Sequence, residues 1–138
     1  IAIKPHRGSV VSRPSEAIWL LDQLGNPSRL RMVFDYSHYI FRELSMGDTI
    51  RTSLPYTAHI AVKDAVKVNG RVAFKLPGET GTIHFPALIR LFYAGGYDGD
   101  FNCEGSGMVW NNKGYDPVVA AKTCYHNMNK ALLQAGVR

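Results

Sequence analysis

Met32-Val33-Phe34-Asp35-Tyr36-Ser37-His38 decides how this chain is read. A short apolar run, of the kind that forms a buried strand, runs directly into an aspartate and a polar stretch. The same design recurs at Ile1-Ala2-Ile3-Lys4-Pro5-His6, at His59-Ile60-Ala61-Val62-Lys63-Asp64 and at Phe101-Asn102-Cys103-Glu104. A helical pattern comes after each run. Each run also sets a charged residue at the C-terminal end of its strand, where parallel α/β folds gather their chemistry. The predicted fold class is α/β, with strands near 1–4, 29–35, 57–64 and 99–104 forming a parallel sheet through right-handed crossovers.

The intervening helices are punctuated. Asp116-Pro117 supplies an N-cap and a first-turn proline, Val118, Ala121, Tyr125, Met128 and Leu132 recur at helical spacing, and Gly136 ends the run. A helix around Pro86 carries Leu88, Ile89 and Phe92 and stops at Gly95-Gly96. Another begins near Ser12 to Ser15, carries Ala17, Ile18, Leu21 and Leu24 and stops at Gly25, with Trp19 expected to pack. A shorter helix spans Asp48 to Leu54 before Pro55. Between Ala65 and Gly81, Val68-Asn69-Gly70-Arg71-Val72 reads as a tight hairpin and Leu76-Pro77-Gly78-Glu79 as a loop, an insertion expected over the catalytic end of the sheet.

Composition bounds the remaining classes. With 138 residues, 46% of them hydrophobic, the chain is long enough to bury a core as one domain. No apolar run approaches the ~20 residues of a membrane helix, so no membrane association is expected. The net charge of +5 is dispersed rather than gathered into runs, which favours anionic ligands weakly and gives no reason to expect nucleic acid. Cys103 and Cys124 lack metal or redox spacing and are expected as reduced, buried thiols in a cytoplasmic protein. Because Ile1 lies inside a strand pattern, the sequence is expected to begin within something larger.

Strand parity sorts the polar residues, since side chains alternate between the faces of a sheet. Lys4, Asp35, His59, Lys63 and Glu104 fall on one face. Ile1 and Ile3, Met32 and Phe34, Ile60 and Val62, and Phe101 and Cys103 fall on the other, facing the helices. Charges gathered on an inner face need pairing or a ligand.

Phe34-Asp35-Tyr36-Ser37-His38 resembles the D-x-x-H signature of the xylose-isomerase-like sugar phosphate isomerase/epimerase superfamily. Pro77-Gly78-Glu79-Thr80-Gly81-Thr82-Ile83 resembles its PGxG-x-I turn, and Gly96-Tyr97-Asp98-Gly99 with Glu104 resembles its last-strand GYxG…E segment. The resemblance implies that residues 1–138 are the C-terminal half of a (β/α)8 TIM barrel. The missing N-terminal half or a second copy would then complete the sheet. It also implies a divalent metal (Mn, Mg or Zn) held by two Glu, one Asp and one His, and proton transfer at a sugar carbon by the glutamates.

Two of the implied ligand positions differ here. Lys4 stands where the first glutamate is expected and Ala61 where the histidine of H-x-x-D is expected, leaving Asp35 and Glu104. An ammonium repels a divalent cation, so metal binding at that position is expected to be poor. His59 sits two residues too early, about 6–7 Å along the strand, to stand in as a ligand.

The expected site has Glu104 as acid/base, Lys4 in the missing glutamate's place, and His38 as a catalytic or substrate contact. Lys4 reads either as a depressed-pKa amine or as a counter-ion for Asp35 and Glu104. His6 either contacts substrate or caps a loop. Arg7 and Lys63 suit a phosphate or carboxylate, Lys63 equally an ion pair with Glu104, and Trp110 a sugar ring. The expected function is isomerase or epimerase chemistry on a small carbohydrate or sugar phosphate. One alternative is a non-catalytic carbohydrate-binding barrel, and a more remote one is a metallonuclease of the endonuclease IV type, whose ligand set the chain lacks.

Overall fold

The computed structural model describes residues 1–137 and shows an α/β arrangement around a parallel four-stranded sheet. In chain order the strands and helices are β1 (Ala2–Ile3), α1 (Pro14–Gln23), β2 (Arg31–Phe34), α2 (Met46–Ser53), β3 (Thr57–Val62), β4 (Asp64–Val68), β5 (Arg71–Lys75), α3 (Phe85–Ala94), β6 (Phe101–Cys103), α4 (Gly107–Trp110) and α5 (Pro117–Ala135). The sheet order is β1-β2-β3-β6, with Ile3 beside Met32, Phe34 beside Ile60 and Val62 beside Cys103. β4 and β5 form a separate antiparallel hairpin. Among the described residues no helix is long and apolar enough to cross a membrane.

The apolar face of the sheet carries the core as parity requires. Met32, Phe34, Ile60 and Val62 are all buried and pack with Leu88, Ile89 and Phe92 of α3, and the Phe34 and Phe92 rings meet edge to face at 5.0 Å. Each such side chain contributes about 1.5–3 kcal/mol of burial. At β1 the pattern weakens, because Ile3 only borders the core and Ile1 is 98% exposed.

Two helices bury different stripes from those expected. On α5 the buried residues are Ala120, Met128, Ala131 and Ala135, whereas Val118 and Tyr125 are exposed. Small residues let α5 approach its neighbour α3 closely, and that contact outweighs the larger apolar side chains one position away. Trp19 lies about 200° around α1 from Ala17 and is 63% exposed, so it does not pack as expected. α2 starts at Met46 rather than Asp48 because the Ser45 hydroxyl accepts the Asp48 N–H at 3.4 Å. Gly107–Trp110 forms the short α4 behind a Ser106 cap.

Asn69 and Gly70 both have positive φ, 49° and 76°, as the tightest hairpin turn between β4 and β5 requires. Asp64, the first residue of β4, is fully buried and anchors the turn beyond the hairpin. Its carboxylate accepts the N–H groups of Ala65 at 2.9 Å, Thr80 at 3.0 Å and Ile83 at 3.4 Å, pinning the 77–83 turn to the hairpin. Asp64→Ala is expected to cost about 2–3 kcal/mol, because it leaves those donors without their charged acceptor. Urea unfolding of the variant, with limited proteolysis of the 76–83 segment, measures this, and a loss within experimental error would show that the carboxylate does not hold the turn.

Candidate functional site

All four parallel strands end immediately before a charged residue: β1 before Lys4, β2 before Asp35, β3 before Lys63 and β6 before Glu104. The ladder register therefore brings together side chains that are far apart in sequence. Lys4 Nζ lies 3.0 Å from Asp35 Oδ2 and donates to Glu104 Oε2. Lys63 Nζ lies 2.5 Å from Asp35 Oδ2 and 2.9 Å from Glu104 Oε1. Each carboxylate thus bridges both ammonium groups. The pairing of Lys63 with Glu104, one of its two sequence readings, is the arrangement observed, and Lys4 sits as a counter-ion between the two acids.

His38 joins this network through local backbone geometry. Asp35 Oδ1 accepts the Ser37 N–H at 3.1 Å and the Ser37 hydroxyl at 2.6 Å, which starts a single 3-10 turn over Tyr36–His38. The turn carries the imidazole back over its own aspartate, with Nε2 3.4 Å from Asp35 Oδ2 and 3.1 Å from Lys63 Nζ. The Arg7 N–H donates to Nδ1 at 3.3 Å, while Nε2 faces both the Asp35 carboxylate and the Lys63 ammonium. This turn explains the spacing of D-x-x-H.

Burial separates the members. Asp35, His38 and Lys63 are at most 1% exposed, whereas the side chains of Lys4 and Glu104 are 24% and 33% exposed. Phe74 of β5 closes the buried side, its ring 5.0 Å from the His38 ring and 4.9 Å from Lys63 Nζ. The hairpin therefore covers the strand ends as expected. Phe74 and Asp64 were not among the expected site residues. The signal for Phe74 was its being the one aromatic residue between Ala65 and Lys75.

The other candidates fall at varying distance from the network. The exposed His6 ring sits 4.1 Å from the His38 ring, and its Nδ1 lies 2.9 Å from the Arg7 carbonyl. His59 is half-buried beside Val33, with no hydrogen bond to the network among the described residues. Trp110 is 54% exposed on α4. Cys103 and Cys124 are free as expected but half-buried rather than buried, and burial pushes the Cys103 thiol up to about 12.

Electrostatics within the cluster reflect this packing. Burial raises the Asp35 carboxyl, but the His38 hydrogen bond and the Lys63 and Lys4 charges outweigh it and hold it well below the usual carboxylate range. Glu104 is lowered too, burial again being outweighed by its bonds to Lys4 and Lys63. For Lys4, burial is outweighed by the Asp35 charge and the carboxylate bonds, and its ammonium form is favoured. Burial lowers His38, and the Lys63 charge adds to this against the pull of Asp35, so the ring is held neutral.

These shifts make stability depend on pH. The unfolded chain protonates His38 near 6.5, before the folded chain does, so stability falls as pH drops below about 6.5. Asp35 and Glu104, ordinarily 3.8 and 4.5, contribute stability above those values that is lost as pH falls through their lower folded values. The Lys4 contribution is complete below 10.5 and is lost above it. Urea midpoints are expected to form a plateau between about pH 7 and 9, declining on the acid side and, as the unfolded Cys103 thiol ionises, above it. A midpoint unchanged down to about pH 3 would contradict these ion pairs.

The donor set does not fit the metal that the family resemblance implies. Lys4 holds both carboxylates where the resemblance implies an acidic ligand, and Ala61, where it implies a histidine, offers no side-chain donor atom. Among the described residues no group of three or more His, Cys, Asp or Glu side chains is arranged to hold a metal ion. No protein-family model matches the chain, and neither does any curated protein.

Proposed function

We propose that this chain is the C-terminal half of a xylose-isomerase-like (β/α)8 barrel that moves a proton at a carbon of a small carbohydrate or sugar phosphate, with the Lys4–Asp35–Lys63–Glu104 network in place of a metal. The observation that carries the reading is the convergence of these four residues from four neighbouring strand ends, roofed by Phe74 and flanked by His38. β1 and β6 are the edges of the sheet. In this reading the N-terminal half of the barrel, or a second copy, pairs with them and walls the site.

The half-buried pair Lys4 and Glu104 is the part a ligand reaches in this reading. A substrate carbonyl oxygen takes a hydrogen bond from the Lys4 ammonium, which draws that donor away from Glu104 and polarises the carbonyl. Glu104, held ionised, then removes the proton from the adjacent carbon, and the enediolate oxygen stays against Lys4. Return of that proton by Glu104 to the neighbouring carbon, with the hydroxyl proton passing from one enediolate oxygen to the other, isomerises the sugar. The buried trio of Asp35, Lys63 and His38 fixes these two groups in place.

The test is exchange of the sugar C2 proton with deuterium in D₂O, monitored by NMR on the intact protein, with and without EDTA. Exchange that persists in EDTA is the expected result, and exchange that requires added Mn²⁺ or Mg²⁺ would return the chain to the metal-dependent mechanism. One observation favours a second reading, a non-catalytic carbohydrate-binding barrel: each carboxylate is already neutralised by two ammonium groups. Saturable sugar binding without exchange would select it.

A further inference from the structure

The sequence has two cysteines, and the fold brings them together although residues 104–123 lie between them. Cys103 is the last residue of β6, and Cys124 lies in α5. The Cys103 thiol donates to the Cys124 sulfur, and no disulfide joins the two. Both side chains are half-buried and line one open groove of about 410 Å³ with Leu76, Gly105, Ala120 and Tyr125. The pair stands apart from the charged network, because strand parity turns Cys103 toward the core and Glu104 away from it. Two sulfurs in contact beside an open groove are within reach of a small oxidant and of each other.

The two elements differ in how firmly they are held. β6 is an edge strand, paired to β3 alone, with Phe101 beside Ile60, Asn102 beside Ala61 and Cys103 beside Val62. The Glu104 N–H continues that pairing by donating to the Val62 carbonyl at 2.9 Å. α5 is anchored in the core through Met128, Ala131 and Ala135. A covalent bond between Cys103 and Cys124 therefore ties an edge strand, where backbone hydrogen bonds open most easily, to a helix already fixed by packing. It also restricts the unfolded chain by closing a loop around residues 104–123.

We propose that Cys103 and Cys124 are a modification site for hydrogen peroxide, which closes them into a reversible disulfide that locks β6 to α5. The hydrogen bond sets the roles. Because Cys103 donates, the thiolate is stabilised on Cys124, and this sulfur attacks the peroxide. An S–O bond forms as the O–O bond breaks, which leaves a sulfenic acid on Cys124 and releases the second oxygen as water. The Cys103 sulfur then attacks the Cys124 sulfur, the S–O bond breaks, and the departing hydroxide takes the Cys103 proton and leaves as water. Two thiols lose two electrons, and one peroxide gains them as it becomes two waters. Burial raises both thiols, which slows the first step and sets this pair apart from fast peroxide sensors. The contact between the sulfurs favours the second step.

The test is treatment of the reduced, intact protein with hydrogen peroxide, followed by mass spectrometry, thermal melting and backbone hydrogen exchange before and after dithiothreitol. The oxidised wild type is expected to lose about 2 Da as a monomer. Its Tm should rise by about 5–10 °C, and the amides of Phe101–Glu104 should exchange more slowly. Dithiothreitol should reverse all three changes. Cys103→Ser and Cys124→Ser should each abolish the mass loss and the Tm rise, and dimedone should trap a sulfenic acid on Cys124 in the first variant but none on Cys103 in the second. The comparison of oxidised with reduced wild type needs no substitution, so it stands even where a variant fails to fold. A mass gain of two oxygens, a disulfide between two copies, or an unchanged mass overturns the inference. A disulfide that leaves the Tm and the β6 amides unchanged overturns the lock, and dimedone labelling of Cys103 in Cys124→Ser overturns the order of attack. None of these readouts involves a sugar, so their failure leaves the proposed function standing.

Discussion

Replacing Lys63 by Met is expected to destabilise the protein by about 3–5 kcal/mol, the cost of leaving a buried carboxylate without its partner. Asp35 has no solvent exposure, and Lys63 is its nearest cation at 2.5 Å. Lys4 remains 3.0 Å from the same oxygen and His38 3.4 Å, which places the expected loss toward the lower end of that range. Met fills the volume of the lysine stem and keeps the contact with Phe74, so the effect isolates the charge. The paired change Lys63→Met with Asp35→Asn should recover much of the loss, since it removes the stranded charge together with its partner. Urea unfolding of the wild type, both single variants and the double variant completes the cycle. A Lys63→Met loss below about 1 kcal/mol would mean that Asp35 is solvated and the network is not sealed.

Glu104→Gln is expected to lower C2 proton exchange by about 10²- to 10⁴-fold, the usual contribution of a positioned general base. Gln keeps the shape of the side chain, and its single carbonyl oxygen can accept from one of the two lysines, so sugar affinity should change less than the rate. Glu104 is the group to test because it is the carboxylate open to a ligand, 33% exposed where Asp35 has no exposure. The expected signature is a loss in kcat larger than any change in KM. Equal exchange by the wild type and Glu104→Gln would remove the residue from the chemistry. Loss of sugar binding in step with loss of exchange would assign it to binding alone.

Much of the fold was legible in the sequence, because the signals that carried it are local. Period-two alternation set Met32, Phe34, Ile60 and Val62 toward the helices and Asp35 and Lys63 away from them, and the structure keeps that division. Asn69-Gly70 specified its turn, since both positions require positive φ, and Asp116-Pro117 with Gly136 marked the ends of α5. The charge after each strand was equally visible and identified the end of the sheet at which to look.

Which groups meet was not legible, because it depends on strand register and helix approach between distant segments. Lys4 reaches Glu104 across a separation of 100 residues and Lys63 reaches Asp35 across 28, so only the assembled sheet made Lys63 a saturated ion-pair partner. The same assembly set the Arg7 backbone N–H on His38 Nδ1, 31 residues away. On α5 the helical spacing was compatible with two adjacent stripes, and the close approach to α3 selected Ala120, Ala131 and Ala135 over Val118 and Tyr125. The sequence by itself determined the strands, the ends of α5, the hairpin and the face of the sheet on which each charge stands, since backbone periodicity and φ preference act over a few residues. The tertiary structure alone decided which charges neutralise one another, because ion pairing acts over a few ångströms in space and takes no account of distance along the chain.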